Sequence, residues 1–362
     1  MSNIIQNKYM PDYVSPPGET LAEILEDREM SQAELAERMG RPKKTINEII
    51  KGKAEITVTT ALELERVLGT SARFWNEREW RYRESLARRK ENDHLREQAS
   101  SLKNFPYKKM IEFNWIDSYT DKAEQLKELL RFFAVASLEQ LEQYSTKNLA
   151  VDFRKSQTLE SDPFALIAWL RQGEIQASKI ECNNYDKDKF KQALKKIRSL
   201  TTESIQVSQP EMVRLCAEAG VILVFTPQLP KARVSGATRW LTPNKALLQI
   251  SDRYKKNDHF WFSFFHEAGH ILLHGKRDTF IDLEKEEKND KEKEADTFSA
   301  NFLIDPNNWE DFLKSHPCRS DMISQFAKEI GIAPGIVVGR LQREHILDWS
   351  YSNELKESVC WS

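Results

Sequence analysis

Between residues 19 and 68 the apolar positions fall in short clusters at helical spacing, broken by single glycines and prolines. The pattern predicts short helices over 19–28, 31–39, 43–50 and 59–68, with Leu35, Ala36, Ile46, Ile49 and Ile50 on their inner faces. Ser31 is placed to cap the second, with Glu34 three residues on to complete a capping box. Gly40 ends that helix, and Pro42 stands where a first helical turn tolerates proline. Over 71–100 charge replaces periodicity, and the segment reads as a long charged helix and linker. Helical spacing returns over 101–200, in Leu126, Leu129, Leu130 and Phe133 and again in Phe190, Ala193, Leu194 and Ile197.

From about 204 the texture changes. Gly220 precedes the unbroken apolar run Val221-Ile222-Leu223-Val224-Phe225, ended by Pro227, as in a buried strand. Further strands are read at 245–251 and 233–241, then a helix at 258–274, a charged loop and a helix at 290–303. The tail is helical, with Pro334-Gly335 as punctuation. The expected fold is α+β, mostly α. Its domains are a helix-turn-helix at 1–75, a charged helical linker at 76–105, a helical middle region at 106–203, a core with a small sheet at 204–310 and a helical extension at 311–362.

The 362 residues include 54 basic and 56 acidic side chains, so whole-chain charge gives no case for nucleic-acid binding and only a local basic patch could supply one. Cys182, Cys216, Cys318 and Cys360 form no CxxC pair, which argues against a disulfide framework and a cysteine zinc site. The opening residues lack the basic start and apolar stretch of a secretory signal, and no run approaches a membrane span. The expectation is a reduced, cytoplasmic protein with no membrane association.

Two short helices joined at a glycine turn are the pattern of a helix-turn-helix. Gln32 begins the first, where its amide can reach a phosphate. Lys43, Lys44, Thr45 and Asn47 occupy the first turns of the second, the part that meets base edges in such motifs. Lys51 and Lys53 follow as candidate backbone contacts. The competing reading is a small packing domain with a solvated basic face. The stretch SQAELAERMGRPKKTINEIIKGKAEITVTTALELERVLGTSARFWNERE, with the entry PPGETLAEILEDREM, resembles the Xre-type helix-turn-helix of HigA-family antitoxins. The resemblance implies a module that binds operator double-stranded DNA, usually as a homodimer, and regulates its own operon. It carries the DNA-facing role to Gln32, Lys43, Lys44, Thr45 and Asn47.

The second motif is His266-Glu267-Ala268-Gly269-His270, an HExxH. Residues i and i+4 share a helix face, so two imidazoles converge on one ion, and the Glu beside the first His can act as general base on a water. A catalytic zinc needs a third protein ligand. Glu292 is the choice, with Asp296 one turn later placed to accept a hydrogen bond from a ligand imidazole. Glu294 is a rival but points roughly 200° from Glu292 around the helix. His274 lies about 12 Å along the axis from His266, too far for a third histidine ligand, and is expected to cap the helix or lie near the cleft. His259 reads as structural.

FWFSFFHEAGHILLHG and EKEADTFSANFLI resemble the ImmA/IrrE family of zinc metallopeptidases, as do the lead-in GATRWLTPNKALLQISDRYKKNDH and the tail IAPGIVVGRLQRE. The resemblance implies a zincin-like domain with Zn2+ held by His266, His270 and Glu292, and Glu267 as general base. The leading expectation is a transcriptional regulator that cleaves a protein such as a repressor or antitoxin. The alternative is a non-catalytic antitoxin or repressor whose C-terminal domain binds a toxin or senses a ligand or metal. Arg239 and Arg233 are the candidates for stabilising an oxyanion, and a substrate strand could pair with a sheet edge.

Overall fold

The computed structural model describes residues 14–149, 162–253, 255–275, 280–283, 290–315 and 319–359. The chain divides into two compact units, Met1–Ser100 with Asp121–Glu124 and Ser101–Thr120 with Gln125–Ser362. Among the described residues no helix is long and apolar enough to cross a membrane.

The first unit opens with helices α1 (Pro17–Asp27), α2 (Gln32–Met39), α3 (Lys43–Ile50) and α4 (Val58–Leu68), each end within two residues of its expected place. Ser31 Oγ accepts from the Glu34 N–H at 3.1 Å, but the Glu34 carboxylate turns to Arg38, 2.6 Å away, so only half of the expected capping box forms. Gly40 closes α2 at φ 64°, a left-handed conformation that glycine adopts without strain. Leu21, Leu35, Ile46, Leu64 and Trp75 are fully buried and form one core. Helix α5 (Ala72–Glu97) runs unbroken through the charged segment, braced by the i,i+4 pairs Glu77–Arg81, Glu79–Arg83 and Glu84–Arg88.

The second unit carries α6 (Tyr107–Glu112), α7 (Lys122–Phe133, its first residues grouped with the first unit), α8 (Leu138–Leu149), α9 (Pro163–Ala177), α10 (Lys187–Ser199) and α11 (Ile205–Glu218). Strands β1 (Val221–Phe225), β2 (Val234–Thr242) and β3 (Lys245–Ile250) follow, then α12 (Asn257–Leu273), β4 (Phe280–Leu283) and α13 (Asp290–Leu303). Helices α14 (Pro306–Lys314), α15 (Ser320–Ile330) and α16 (Pro334–Arg343) end the regular structure.

The sheet has the order β1-β3-β2-β4, with β1 parallel to β3 and β2 antiparallel to both neighbours. Strand β1 is apolar throughout because both faces are covered. Val221, Leu223 and Phe225 join the large core that includes α12, while Ile222 and Val224 pack with Ala177 of α9. Strand β4 corrects the expected charged loop: Phe280 pairs with Thr238 and Ile281 with Ala237, making β4 an edge strand. Four residues among charged neighbours are too few to show an alternating pattern.

Two features hold α12 in place. The C-terminal tail returns to its start, where Lys356 pairs with Asp258 at 2.6 Å and donates to Gln342 at 2.6 Å, all three buried. Along its length α12 packs closely on α13. A Cβ at Gly269 would lie 3.0 Å from the Phe298 ring and 3.4 Å from Ala295 Cα. The glycine inside the HExxH is therefore what lets the two helices approach.

Candidate metal centre

His266 and His270 stand one turn apart on α12, a helix buried along most of its length. Their Nε2 atoms are 3.0 Å apart. Glu292, in the first turn of α13, presents Oε2 to His266 Nε2 at 3.0 Å and Oε1 to His270 Nε2 at 3.4 Å. All three residues offer ligand atoms within 4.8 Å of one another. Asp296, one turn further along α13, meets His266 Nδ1 at 3.0 Å and is itself held by Arg343 at 3.1 Å.

The donor set fits a metal ion. A carboxylate only accepts, so Asp296 takes the Nδ1–H of a neutral His266 and leaves its Nε2 with a lone pair. That lone pair then faces a second imidazole nitrogen and a carboxylate oxygen. Three electron-rich atoms converge, and a cation resolves their repulsion. Tetrahedral zinc with bonds of about 2.0–2.1 Å places its ligands roughly 3.3 Å apart, close to the spacing seen here. Without a metal, a proton does the same work. Burial opposes charge on His266, but hydrogen bonds to Asp296 and Glu292 override it and push its pKa up to about 10. Burial likewise opposes charge on Glu292, yet its contacts with the His266 and His270 rings hold its carboxyl well below the usual range.

Glu267 is fully buried, and neither carboxylate oxygen has a hydrogen-bond partner among the described residues. Strand β2 lies directly against it. A Cβ at Gly236 would stand 2.7 Å from Glu267 Oε1, and Thr238 Oγ1 donates to the Glu267 backbone carbonyl at 3.2 Å. Burial, the leading cause, pushes the Glu267 pKa up from 4.5 to about 8.

That shift has a consequence for the metal-free fold. A carboxyl whose pKa is raised by folding contributes its full stability below the unfolded pKa and loses it as pH rises toward and through about 8. Glu267→Gln removes this penalty. The metal-free variant should match the wild type near pH 4 and exceed it by on the order of 3 kcal/mol at pH 7. Urea unfolding of chelated protein across pH checks this; equal stabilities at pH 7 would contradict it.

The remaining expectations divide. His274 caps α12, its N–H bonded to the His270 carbonyl at 3.1 Å. Its ring meets His270 Nδ1 at 2.9 Å and Glu294 at 3.1 Å, so the rival carboxylate Glu294 serves His274 instead of the three-donor cluster. Arg239 is corrected as an oxyanion candidate: it is tied to α9 through the Leu170 carbonyl at 2.7 Å and Glu174 at 3.4 Å. In the first unit Gln32 begins α2, and Lys43, Lys44, Thr45 and Asn47 lie in the first turns of α3, with the two lysines exposed. Sequence reasoning missed Gly236, Arg343 and Phe280, which stacks on His270 at 4.0 Å. Only Gly236 carried a signal, as a lone glycine in a predicted strand.

Residues 21–75 match the helix-turn-helix family and residues 217–341 match the IrrE N-terminal-like domain family. Among solved structures the chain is similar to an addiction module antidote protein of the HigA family from Coxiella burnetii. Identity is 32%, covering 23% of this chain and 90% of that one, with a TM-score of 0.22. It is also similar to the Pseudomonas aeruginosa antitoxin HigA solved with the higBA promoter, at 32% identity over 21% of this chain and 83% of that one (TM-score 0.20). A further Pseudomonas aeruginosa protein, solved in complex with its 18-bp operator DNA, is 32% identical over 21% of this chain and 82% of its own (TM-score 0.20). No curated protein matches the chain. The chain thus joins an N-terminal helix-turn-helix of the HigA/Xre type to a C-terminal domain of the IrrE/ImmA type.

Proposed function

We propose that this DNA-binding regulator is also a zinc-dependent endopeptidase that cleaves a protein such as a repressor or antitoxin. The observation that carries the proposal is Glu267, a carboxyl group buried with no hydrogen-bond partner among the described residues, beside three converging metal donors. A domain that only bound a toxin or ligand would gain nothing from that arrangement, which weakens the fold.

His266, His270 and Glu292 would hold the zinc, which when bound lowers the pKa of water and polarises a peptide carbonyl. Glu267 supplies the proton traffic. Its carboxylate, beside the three donors, takes a proton from water and returns it to the leaving amine. Asp296 keeps His266 in the tautomer that ligates. Strand β4 ends the sheet and carries Phe280 onto His270, so an extended substrate strand has an edge beside the site to pair with.

In the first unit, α3 enters the major groove by its N-terminal turns, and Gln32, Lys43, Lys44, Thr45 and Asn47 make the contacts. A homodimer would present two such helices to half-sites about one DNA turn apart. The test of the catalytic half compares protein N-termini in cells producing the wild type or Glu267→Gln. New N-termini found only with the wild type support the proposal. Cleavage that persists in the variant would place the base elsewhere, and no cleavage by either would leave a regulator that binds without cutting.

A further inference from the structure

We propose that His274 and Glu294 form a positioning relay that fixes the tautomer of His270 and so sets the affinity of the metal site. The inference rests on the metal-binding reading above.

With both imidazoles neutral, the hydrogen-bond chain has one consistent direction. Glu294 Oε2 lies 3.1 Å from His274 Nε2, and a carboxylate can only accept, so His274 donates from Nε2. A neutral imidazole carries one N–H, which leaves His274 Nδ1 as an acceptor. It lies 2.9 Å from His270 Nδ1, which must therefore donate. His270 then keeps its lone pair on Nε2, the atom 3.0 Å from His266 Nε2. The opposite tautomer would aim an N–H where the metal belongs.

The two rings are enclosed. The His274 side chain is 3% exposed, while Glu294 is 63% exposed and anchors the relay from the surface. Phe280 covers both imidazoles, with centroids 4.0 Å from His270 and 5.1 Å from His274. His274 has left the helix at φ −108°, ψ 169°, a bend that accompanies the ring's turn back toward His270. Helix α13 thereby controls both ligand rings. Asp296 holds His266 directly, Glu294 holds His270 through His274, and Glu292 lies at the centre.

The test is zinc affinity, measured by competition with a chromophoric chelator in the full chain. His274→Leu removes the acceptor at similar bulk and should weaken zinc about 10- to 100-fold. His274→Asn places an amide oxygen near the position of Nδ1 and should stay within about threefold of wild type, since the oxygen can accept the same N–H. Melting of the zinc-free proteins should not separate the two. Wild-type affinity in His274→Leu, or an equal loss in both variants, overturns the proposal. If His274→Leu does not fold, the surface pair Glu294→Ala and Glu294→Gln decides: a loss in the first and not the second supports the relay, and two unchanged affinities overturn it. A wild type that binds no zinc would instead defeat the metal reading, and the relay with it.

Discussion

Glu267→Gln is expected to keep one zinc ion per chain and to cleave its substrate on the order of 10²–10⁴-fold more slowly. The amide matches the carboxylate in size, so the clearance against Gly236, already 2.7 Å from a hypothetical Cβ to Oε1, is undisturbed. His266, His270 and Glu292 keep their donors. What disappears is the group proposed to take a proton from water and pass it to the leaving nitrogen. The loss should therefore appear in kcat at unchanged zinc content. The same variant should be the more stable protein once zinc is removed, because the buried carboxylate carries a cost that the amide avoids. A slower and sturdier variant is the signature of a residue kept for chemistry at the expense of the fold. Full activity, or loss of zinc, would contradict this assignment.

The second large effect belongs to the other unit. Lys43→Ala combined with Lys44→Ala should reduce operator affinity by about 10²-fold or more and flatten its salt dependence by about two units of slope. Both side chains are exposed on the first turn of α3, while the residues that secure the helix, Ile46 and Ile49, are buried in the core. The substitutions remove charge without touching packing, so the fold should survive. Lys44 lies 3.8 Å from Glu48, a loose exposed pair whose loss matters little to stability. A gel shift across salt concentrations checks the prediction. Unchanged affinity would remove α3 as the recognition helix.

The parts of this molecule that were legible in the sequence share a physical reason: each carries a local pattern set by the faces its own element buries. The i,i+4 spacing of His266 and His270 makes sense only on a helix. Glu292 and Asp296 repeat it on α13, and the structure brings those four side chains together. Val221–Phe225 reads as a strand because both of its faces are buried. The less legible parts depend on contacts between distant segments. Arg239 looks free in sequence, yet α9 claims it through the Leu170 carbonyl. Strand β4 exists because β2 offers a partner, not because Phe280–Leu283 announces it. Glu294 looks like a competing ligand until the fold turns His274 back toward it. Arg343 reaches Asp296 from α16, 47 residues away, with no local pattern to mark it.

Zinc per chain, by elemental analysis of the wild type and of Glu292→Ala, decides whether the three donors form a metal site. Glu292 is the donor that joins α13 to the two histidines of α12, and removing it leaves two imidazoles that cannot hold a catalytic ion alone. Close to one zinc is expected in the wild type, with a clear loss in the variant. A folded wild type that takes up no zinc even when metal is supplied would contradict that expectation, and so would a variant that keeps its zinc in full.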